Sequence, residues 1–160
     1  DRQHGLAVYA RPGAWNDPDM LEVGNSGLSE LESRSHLMLW AMLAAPLMAG
    51  NDVRSMSDET RDLLVDPGIL SVAMDPAGRQ GQRVGRTGKL EFWRRELSTG
   101  FAVGVLNRGR ASTKLSSADQ TRIVTTSGAV DLTTGDVDRF DVTLAPHEMR
   151  LWRVDATPSA

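Results

Sequence analysis

The sequence contains no cysteine, so neither a disulfide framework nor a thiolate metal site is available to it. The sequence also lacks a large excess of charge of either sign, because the formal net charge is only −3. That balance gives no reason to expect a nucleic acid or an anionic membrane as a partner. No apolar run approaches the length that spans a bilayer. What remains is a globular protein whose 160 residues suit one or two small domains.

The densest group of polar side chains lies in residues 12–21, which read P-G-A-W-N-D-P-D-M-L. The residue before a proline is pushed out of the helical region, so Asp17 is expected to be extended. In an extended chain Asp17 and Asp19 would point to the same side, and Asn16 and Met20 would face the other. The alternative is a tight turn in which both aspartates accept hydrogen bonds from nearby backbone N–H groups. The pattern leaves both arrangements open, and carboxylates beside an aromatic residue are typical of sugar-binding sites.

Two successive strand-and-helix units are predicted in the first part of the chain. Ser29 and Glu32 have the spacing of a capping box, so a helix with a broad apolar stripe is expected from Ser29 to Ala45. Ser57 is expected to cap a second helix that ends near Val65, with acidic residues in its first turn. A strand is predicted before each helix, which makes two consecutive βα units; these strands are Trp15–Leu21 and residues 46–49.

The sequence pattern changes near Gly88, where helical periodicity gives way to alternating apolar and polar residues. Short strands at this spacing, separated by turn signals, indicate an antiparallel β-sandwich. The strands are expected at residues 90–94, 101–106, 121–126, 140–144 and 149–154. There are two further apolar runs. Residues 6–10 are expected to form a strand or the end of a helix, and residues 69–73 form a short segment that is expected to lead into a loop over residues 75–86.

Several ordered motifs carry a resemblance to a known family. They are G-A-W-N-D-P-D-M-L-E-V-G-N from residue 13, L-W-A-M-L-A-A-P-L-M-A-G-N-D-V-R from residue 39, D-P-A-G-R-Q-G from residue 75, F-W-R-R-E-L from residue 92 and L-N-R-G from residue 106. Together they resemble the α-galactosidase (melibiase) family of glycoside hydrolases, densely over residues 6–82 and more thinly beyond. The resemblance implies an α/β plus all-β fold. Residues 1–85 would be the last two βα units of a (β/α)8 barrel, residues 86–156 a small antiparallel β-sandwich domain, and residues 157–160 a frayed tail.

The resemblance also implies roles for the polar stretch, because reactive groups in such barrels lie at the carboxyl ends of the strands. Trp15 to Met20 would be the seventh strand and residues 46–50 the eighth. Asp19 is expected to hold a sugar hydroxyl or a neighbouring cation, while Asp17 and Asn16 are expected to tie adjacent strand ends together. A place in the core is favoured for Trp15 over a place in the pocket wall. The predicted substrate-binding residues are Asp19, Met20, Trp15 and Asp17.

No catalytic residue is expected in this chain. Retaining glycosidases use two carboxyl groups about 5 Å apart, and the pair Asp17 and Asp19 is rejected for this role. The resemblance places the nucleophile on the fourth strand and the acid/base on the sixth, both upstream of Asp1. The isolated chain is therefore expected to be inactive, with poor cover for four apolar side chains of the two barrel strands. These are Trp15, Leu21, Met48 and Ala49.

The leading interpretation is the C-terminal part of a retaining glycosidase that releases terminal α-linked galactose and acts on galactosides or galactose-containing oligosaccharides. The alternative is a non-catalytic remnant, or a β-sandwich module that braces a barrel or binds polysaccharide. Such a module needs an exposed aromatic platform, whereas the tail aromatics occupy alternating strand positions that suit a core. No cofactor or metal is expected, since the histidines lack metal-ligand spacing and His36 is interpreted as a surface or boundary residue. The residues concerned are His4, His36 and His147, and Phe92, Trp93, Phe101, Phe140 and Trp152.

Overall fold

The structure, a computed structural model, describes residue 3, residues 5–123 and residues 128–155. In chain order its elements are a 3₁₀ helix (Leu6–Tyr9), α1 (Glu30–Leu43), α2 (Asp58–Leu64), α3 (Pro67–Ala73), β1 (Gln82–Thr87), β2 (Leu90–Glu96), β3 (Phe101–Asn107), β4 (Thr113–Lys114), α4 (Ser117–Ile123), β5 (Ala129–Asp131), β6 (Thr143–Leu144) and β7 (Met149–Val154). His4 and the tail at 157–160 lie outside the described residues.

The predicted helix α1 is confirmed together with its cap. The Ser29 side chain accepts a hydrogen bond from the Glu32 N–H, and the Glu32 side chain accepts one from the Ser29 N–H, which completes the capping box. The helix ends where Ala44 adopts a φ of 51°. None of the described helices is both long and apolar enough to cross a membrane.

The apolar run at residues 69–73 is a third helix, α3, and its start has a clear physical cause. The Asp66 side chain accepts a hydrogen bond from the Ile69 N–H at 3.0 Å, and Pro67 occupies the first helical position. Both features are typical of a helix N-terminus. Helix α2 is confirmed with Ser57 as its cap and Leu64 as its last residue.

The two predicted barrel strands meet in parallel, but they are much shorter than predicted. The Leu21 N–H donates to the Met48 carbonyl at 2.7 Å, and the Gly50 N–H donates to the Leu21 carbonyl at 2.9 Å. These bonds form a single parallel bridge between Leu21 and Ala49. The prediction is therefore right about the neighbours and wrong about the extent of the strands, because the rest of both segments is irregular.

The second half of the chain contains a five-stranded antiparallel sheet in the order β1-β2-β3-β7-β5, beside a separate ladder of β4 and β6. The predicted strands at residues 90–94, 101–106 and 149–154 are confirmed as β2, β3 and β7. The strand predicted at 140–144 is reduced to β6. The predicted loop at 75–86 is confirmed over residues 75–81, whereas β1 begins at Gln82, and β4 and β5 were not predicted. The strand predicted at 121–126 is wrong over residues 121–123, which belong to α4. The rest of that prediction lies outside the described residues.

Side chains alternate between the two faces of this sheet, and each face has its own core. On one face Trp93, Ala102 and Leu151 pack with the apolar side of α1. On the other face Phe92 and Trp152 pack with residues that include Leu115 and Leu144, beside the β4–β6 ladder. Helix α1 is also attached to the sheet by hydrogen bonds: the Met149 N–H donates to Ser35 Oγ at 2.8 Å, and the Gly81 N–H donates to the Met42 carbonyl at 2.7 Å.

Candidate functional site

The segment from Asp17 to Met20 forms no regular strand and is closed instead by side-chain-to-backbone hydrogen bonds, as in an Asx turn. Asp17 Oδ1 accepts a hydrogen bond from the Asp19 N–H at 3.0 Å, and Asp19 Oδ1 accepts one from the Met20 N–H at 2.8 Å. Asp19 has a φ of 105°, in the left-handed region that favours glycine. Of the two arrangements left open by the sequence, the turn is therefore the one that forms.

Met20 lies against the second of the two parallel segments. A Cβ atom placed on Gly50 would lie 2.7 Å from the Met20 Sδ and 2.7 Å from the Leu21 carbonyl oxygen. Glycine is therefore required at position 50, because a larger residue would displace the Met20 side chain or the bridge. Leu21 is buried at 2% exposure, whereas Met20 is 45% exposed and Met48 58% exposed. The expected lack of cover holds for Met48, Ala49 and Trp15 and is wrong for Leu21.

Trp15 and Asn16 contact a different part of the chain from Asp19 and Met20. Asn16 Nδ2 donates to the Leu6 carbonyl at 2.8 Å and to Gln80 Oε1 at 2.7 Å. The Trp15 ring lies over Gly78, where an added Cβ would approach the indole to 2.6 Å. Trp15 is 45% exposed in this chain, so it does not occupy a core position here, and its place in the whole protein stays a prediction. The structural role expected for Asn16 fits these contacts.

The segment after the bridge ends in Asn51 and Asp52. The Asp52 carboxylate accepts hydrogen bonds from the Arg54 N–H at 3.0 Å and from its guanidinium at 2.8 and 2.9 Å. The side-chain bond from Arg54 is the main cause of the lowered pKa of Asp52. The Asn51 amide differs, because neither Nδ2 nor Oδ1 has a hydrogen-bond partner among the described residues and both atoms are buried.

Two side chains of α1 reach the backbone of residues 19–22, and the sequence analysis predicted a functional role for neither of them. Trp40 Nε1 donates to the Asp19 carbonyl at 3.1 Å, and His36 Nε2 accepts from the Glu22 N–H at 3.2 Å. The two rings lie in contact, with centroids 3.9 Å apart. Burial lowers the pKa of His36, which favours the neutral ring that an accepting nitrogen requires. Their spacing of four residues on one helix was the available signal.

The turn leaves one oxygen of each aspartate available. Asp17 and Asp19 each use Oδ1 in the turn, and neither Oδ2 has a hydrogen bond to a described residue. Both side chains are exposed. A carboxylate oxygen of this kind can accept a hydrogen bond from a ligand hydroxyl. Among the described residues, no group of three or more histidine, aspartate or glutamate side chains is arranged to hold a metal ion.

Comparison with known proteins gives this arrangement a context. Residues 1–75 match the family model described as alpha galactosidase A. An alpha-galactosidase of Oryza sativa subsp. japonica is 37% identical over 161 residues, which cover 95% of this chain and 38% of the rice protein. The alpha-galactosidase A of Cellvibrio japonicus is 48% identical over 109 residues, or 68% of this chain and 27% of that protein. The chain belongs to the α-galactosidase (melibiase) family.

The fold of the described residues also matches solved structures of α-galactosidases over part of their length. The crystal structure of a candidate alpha-galactosidase/melibiase from Bacteroides fragilis has a TM-score of 0.82 and 33% identity, and it covers 96% of this chain and 37% of its own. The mixed α/β fold with an antiparallel sheet is thus that of a portion of an α-galactosidase family protein. The chain spans less than two fifths of the first curated relatives that it matches.

Sugar complexes are known among proteins with this fold. An alpha-galactosidase from Saccharomyces cerevisiae has been solved with raffinose, at a TM-score of 0.69 and 18% identity over 94% of this chain and 47% of its own. A β-L-arabinopyranosidase from Geobacillus stearothermophilus has been solved in complex with arabinose, at a TM-score of 0.75 and 23% identity over 91% of this chain and 38% of its own. Both identities are low enough that the likeness concerns the fold alone.

Proposed function

We propose that this chain is the C-terminal part of a retaining glycoside hydrolase that releases terminal α-linked galactose from galactosides or galactose-containing oligosaccharides. In this proposal the chain contributes a wall of the sugar pocket. The observation that carries it is the Asp17–Met20 turn, which exposes the Asp19 carboxylate with Oδ2 unbonded, beside a methionine held against Gly50. A charged oxygen next to an apolar thioether suits the mixed polar and apolar surface of a sugar ring.

The proposed architecture assigns Trp15 to Met20 to the seventh strand of a (β/α)8 barrel and residues 46–50 to the eighth. The parallel bridge between Leu21 and Ala49, with α1 connecting the two segments, supports this assignment. Residues 86–156 would form the antiparallel β-sandwich domain that follows the barrel, and residues 1–85 the end of the barrel itself.

The catalytic carboxylates are proposed to lie elsewhere in the whole protein, upstream of Asp1. A retaining enzyme needs a nucleophile and an acid/base on opposite sides of the reacting carbon. Asp17 and Asp19 instead share one turn, in which the Asp17 carboxylate is bonded to the backbone of Asp19. Asp17 is therefore proposed to support Asp19, and Asp19 with Met20 to contact the sugar. Trp15 stays a weaker prediction, because its contacts are with Gly78 rather than with the turn.

The alternative of a polysaccharide-binding module has less support. It requires exposed aromatic side chains, but Phe92, Trp93 and Trp152 are 2%, 5% and 0% exposed. Phe101 and Phe140 are half-buried, and both pack against the core on the second face of the sheet. No described aromatic group of the sheet therefore forms an open platform.

The test is a pair of matched substitutions in the complete enzyme that contains this chain. Asp19→Asn is expected to lower kcat/KM by about ten- to a hundred-fold, because a charged hydrogen bond to a sugar hydroxyl is worth about 1.5–3 kcal/mol. Asp17→Asn makes the same chemical change two residues away and keeps the oxygen that accepts from Asp19, so its expected effect is much smaller. The measurement is hydrolysis of a chromogenic α-galactoside.

The isolated 160-residue chain serves as the control for upstream catalysis and is expected to show no hydrolysis. Folded Asp19→Asn enzyme with unchanged kinetics would remove Asp19 from the pocket. Hydrolysis by the isolated chain would contradict the proposed location of the catalytic carboxylates.

A further inference from the structure

The backbone at Asp19 needs an explanation beyond the turn itself. A non-glycine residue at a φ of 105° is strained, by about 1–3 kcal/mol, and such strain persists only where surrounding contacts impose it. The two hydrogen bonds within the turn are exposed, so water competes for both, and the two bonds that reach the segment from α1 are exposed as well. Because water weakens each single bond, the contacts from α1 add to those within the turn in holding this conformation.

One peptide group is fixed at both of its ends. The peptide that joins Asp19 to Met20 has its carbonyl bonded to Trp40 Nε1 at 3.1 Å and its N–H bonded to Asp19 Oδ1 at 2.8 Å. The orientation of this peptide determines ψ at Asp19 and φ at Met20. The Trp40 indole therefore acts on the backbone that carries the Asp19 carboxylate, from a position 21 residues away in the chain.

Trp40 is itself held by a neighbour on the same helix. The His36 ring lies one turn earlier on α1, in contact with the indole at a centroid distance of 3.9 Å and an interplanar angle of 34°. His36 Nε2 accepts the Glu22 N–H at 3.2 Å. The two side chains thus bind the chain on either side of Leu21, which is buried and bridged to Ala49.

Helix α1 is a rigid support for this pair. Its N-terminus is closed by the capping box, and Leu37, Met38 and Ala41 are fully buried between its turns and the rest of the core. Side chains that project from a packed helix hold a position more tightly than side chains on a loop.

We propose that His36 and Trp40 are positioning residues for the Asp19 carboxylate, which they orient by fixing the Asp19–Met20 peptide and the Glu22 amide. The inference rests on the proposed function only in what Asp19 does, namely contact the sugar. The attachment of the turn to α1 can be tested without any sugar or any catalysis.

The first experiment is nuclear magnetic resonance on the isotopically labelled 160-residue chain. At positive φ the intraresidue contact between the amide proton and Hα is short, so Asp19 is expected to give a strong cross-peak. Trp40→Phe keeps a ring against His36 and removes the indole N–H, so this cross-peak is expected to weaken. The amide signals of Met20 and Glu22 are expected to shift, while those of Leu37 and Met38 stay in place.

A pair of substitutions at His36 separates loss of the acceptor from a general structural effect. His36→Gln retains an oxygen able to accept from the Glu22 N–H, whereas His36→Ala does not. The Gln variant is expected to restore the Asp19 and Glu22 signals that the Ala variant loses. An unchanged Asp19 cross-peak in Trp40→Phe, or equal spectra for the two His36 variants, would overturn the positioning role.

The second experiment uses the complete enzyme and separates this inference from the proposed function. Trp40→Phe is expected to lower kcat/KM by about two- to ten-fold, as the loss of one hydrogen bond would. Combined with Asp19→Asn it is expected to add nothing further, because it acts through Asp19. Additive losses would overturn the positioning role. Unchanged kinetics in Asp19→Asn, together with the expected spectra, would instead overturn the proposed function and leave the attachment standing.

Discussion

Two asparagines, one in each half of the chain, differ in how fully their buried amides are hydrogen-bonded. Asn107, at the end of β3, is fully buried; its Nδ2, which carries two hydrogens, lies within hydrogen-bond distance of the carbonyls of Ala111, Leu144 and Ala145, and its Oδ1 accepts from the Gly109 N–H. Asn51, at the end of the bridged segment, has no partner for either amide atom among the described residues.

The two regions differ in how well their apolar side chains are covered, whereas buried polar atoms without a partner among the described residues occur in both, including atoms of Glu91, Trp93, Arg95 and Trp152 in the sheet. In the sheet, a buried charge such as Asp131 has its own partner, Arg150, at 3.2 Å, and the large aromatic side chains are enclosed. Around the parallel bridge, the Met20 and Met48 side chains are exposed, and the Asn51 amide has no hydrogen-bond partner among the described residues. Buried polar groups without partners are rare in folded proteins, and each calls for a reason. The unpartnered Asn51 amide follows Gly50, which lies against Met20, and its Nδ2 is close to Gly24.

The largest expected effect compares these two asparagines directly. Asn107→Ala removes the bonds made by the two amide hydrogens and by Oδ1, and it leaves the buried Gly109 N–H without that acceptor, so we expect a loss of about 3 kcal/mol in the free energy of unfolding. Asn51→Ala removes no hydrogen bond to a described residue and is expected to change stability by less than about 0.5 kcal/mol. Urea denaturation measures the free energy of unfolding of both variants, and equal losses would contradict the expected difference between the two asparagines.

A smaller effect is expected from adding one methyl group to a glycine in each region. Gly50→Ala would place Cβ 2.7 Å from Met20 Sδ and from the Leu21 carbonyl, so a loss of about 1–3 kcal/mol is expected. Gly85→Ala in β1 is the matched control, because its nearest neighbour would be 3.9 Å away. Thermal unfolding compares the two variants, and a Gly50→Ala protein as stable as Gly85→Ala would show that Met20 is not confined by Gly50.

The smallest expected effect is a dependence of stability on pH that arises from His36. Burial lowers its pKa below the ordinary value of 6.5, and the nearby Glu22 carboxylate opposes this shift. The unfolded chain therefore binds the proton more readily than the folded chain. The contribution of His36 to stability is complete above about pH 6.5 and is lost as the pH falls toward the folded pKa.

His36→Gln is the matched variant, since it does not titrate and retains an acceptor. The difference in unfolding free energy between the parent chain and this variant isolates His36 from the other histidines. It is expected to change between about pH 7 and pH 5, in the direction that destabilises the parent. A difference that is flat over this interval would show that His36 titrates alike in the folded and unfolded chains.

Much of the fold could be predicted because its signals are local. The capping box at Ser29 and Glu32 and the alternation in β2, β3 and β7 depend on residues close together in the chain. Helix α3 has a local signal too, because Asp66 and Pro67 form a typical helix start ahead of the apolar run. The error at residues 121–123 concerns a signal of the same kind, because the Ser116 and Asp119 side chains cap the backbone where α4 begins.

The site was less predictable because its determinants are distant in the sequence. The turn at Asp17 and Asp19 followed from the Asp-Pro pattern as one of two alternatives, and only the backbone could decide between them. Nothing local identifies Trp40 as the partner of the Asp19 carbonyl, since an indole at a helical spacing is usually core. The exposure of Trp15 likewise depends on which segments pack beside it.

Helix α1 joins the two regions through consecutive residues, since Ser35 accepts a hydrogen bond from the sheet residue Met149 and His36 accepts one from Glu22. This arrangement has a thermodynamic consequence. Suppose that a ligand's affinity depends on the orientation of Asp19, and hence on the packing of α1 against the sheet. Binding of the ligand must then stabilise this packing by the same free energy that the packing contributes to binding. Substitutions under the helix, in strands that touch no sugar, would then alter affinity, so the β-sheet becomes part of the binding equilibrium.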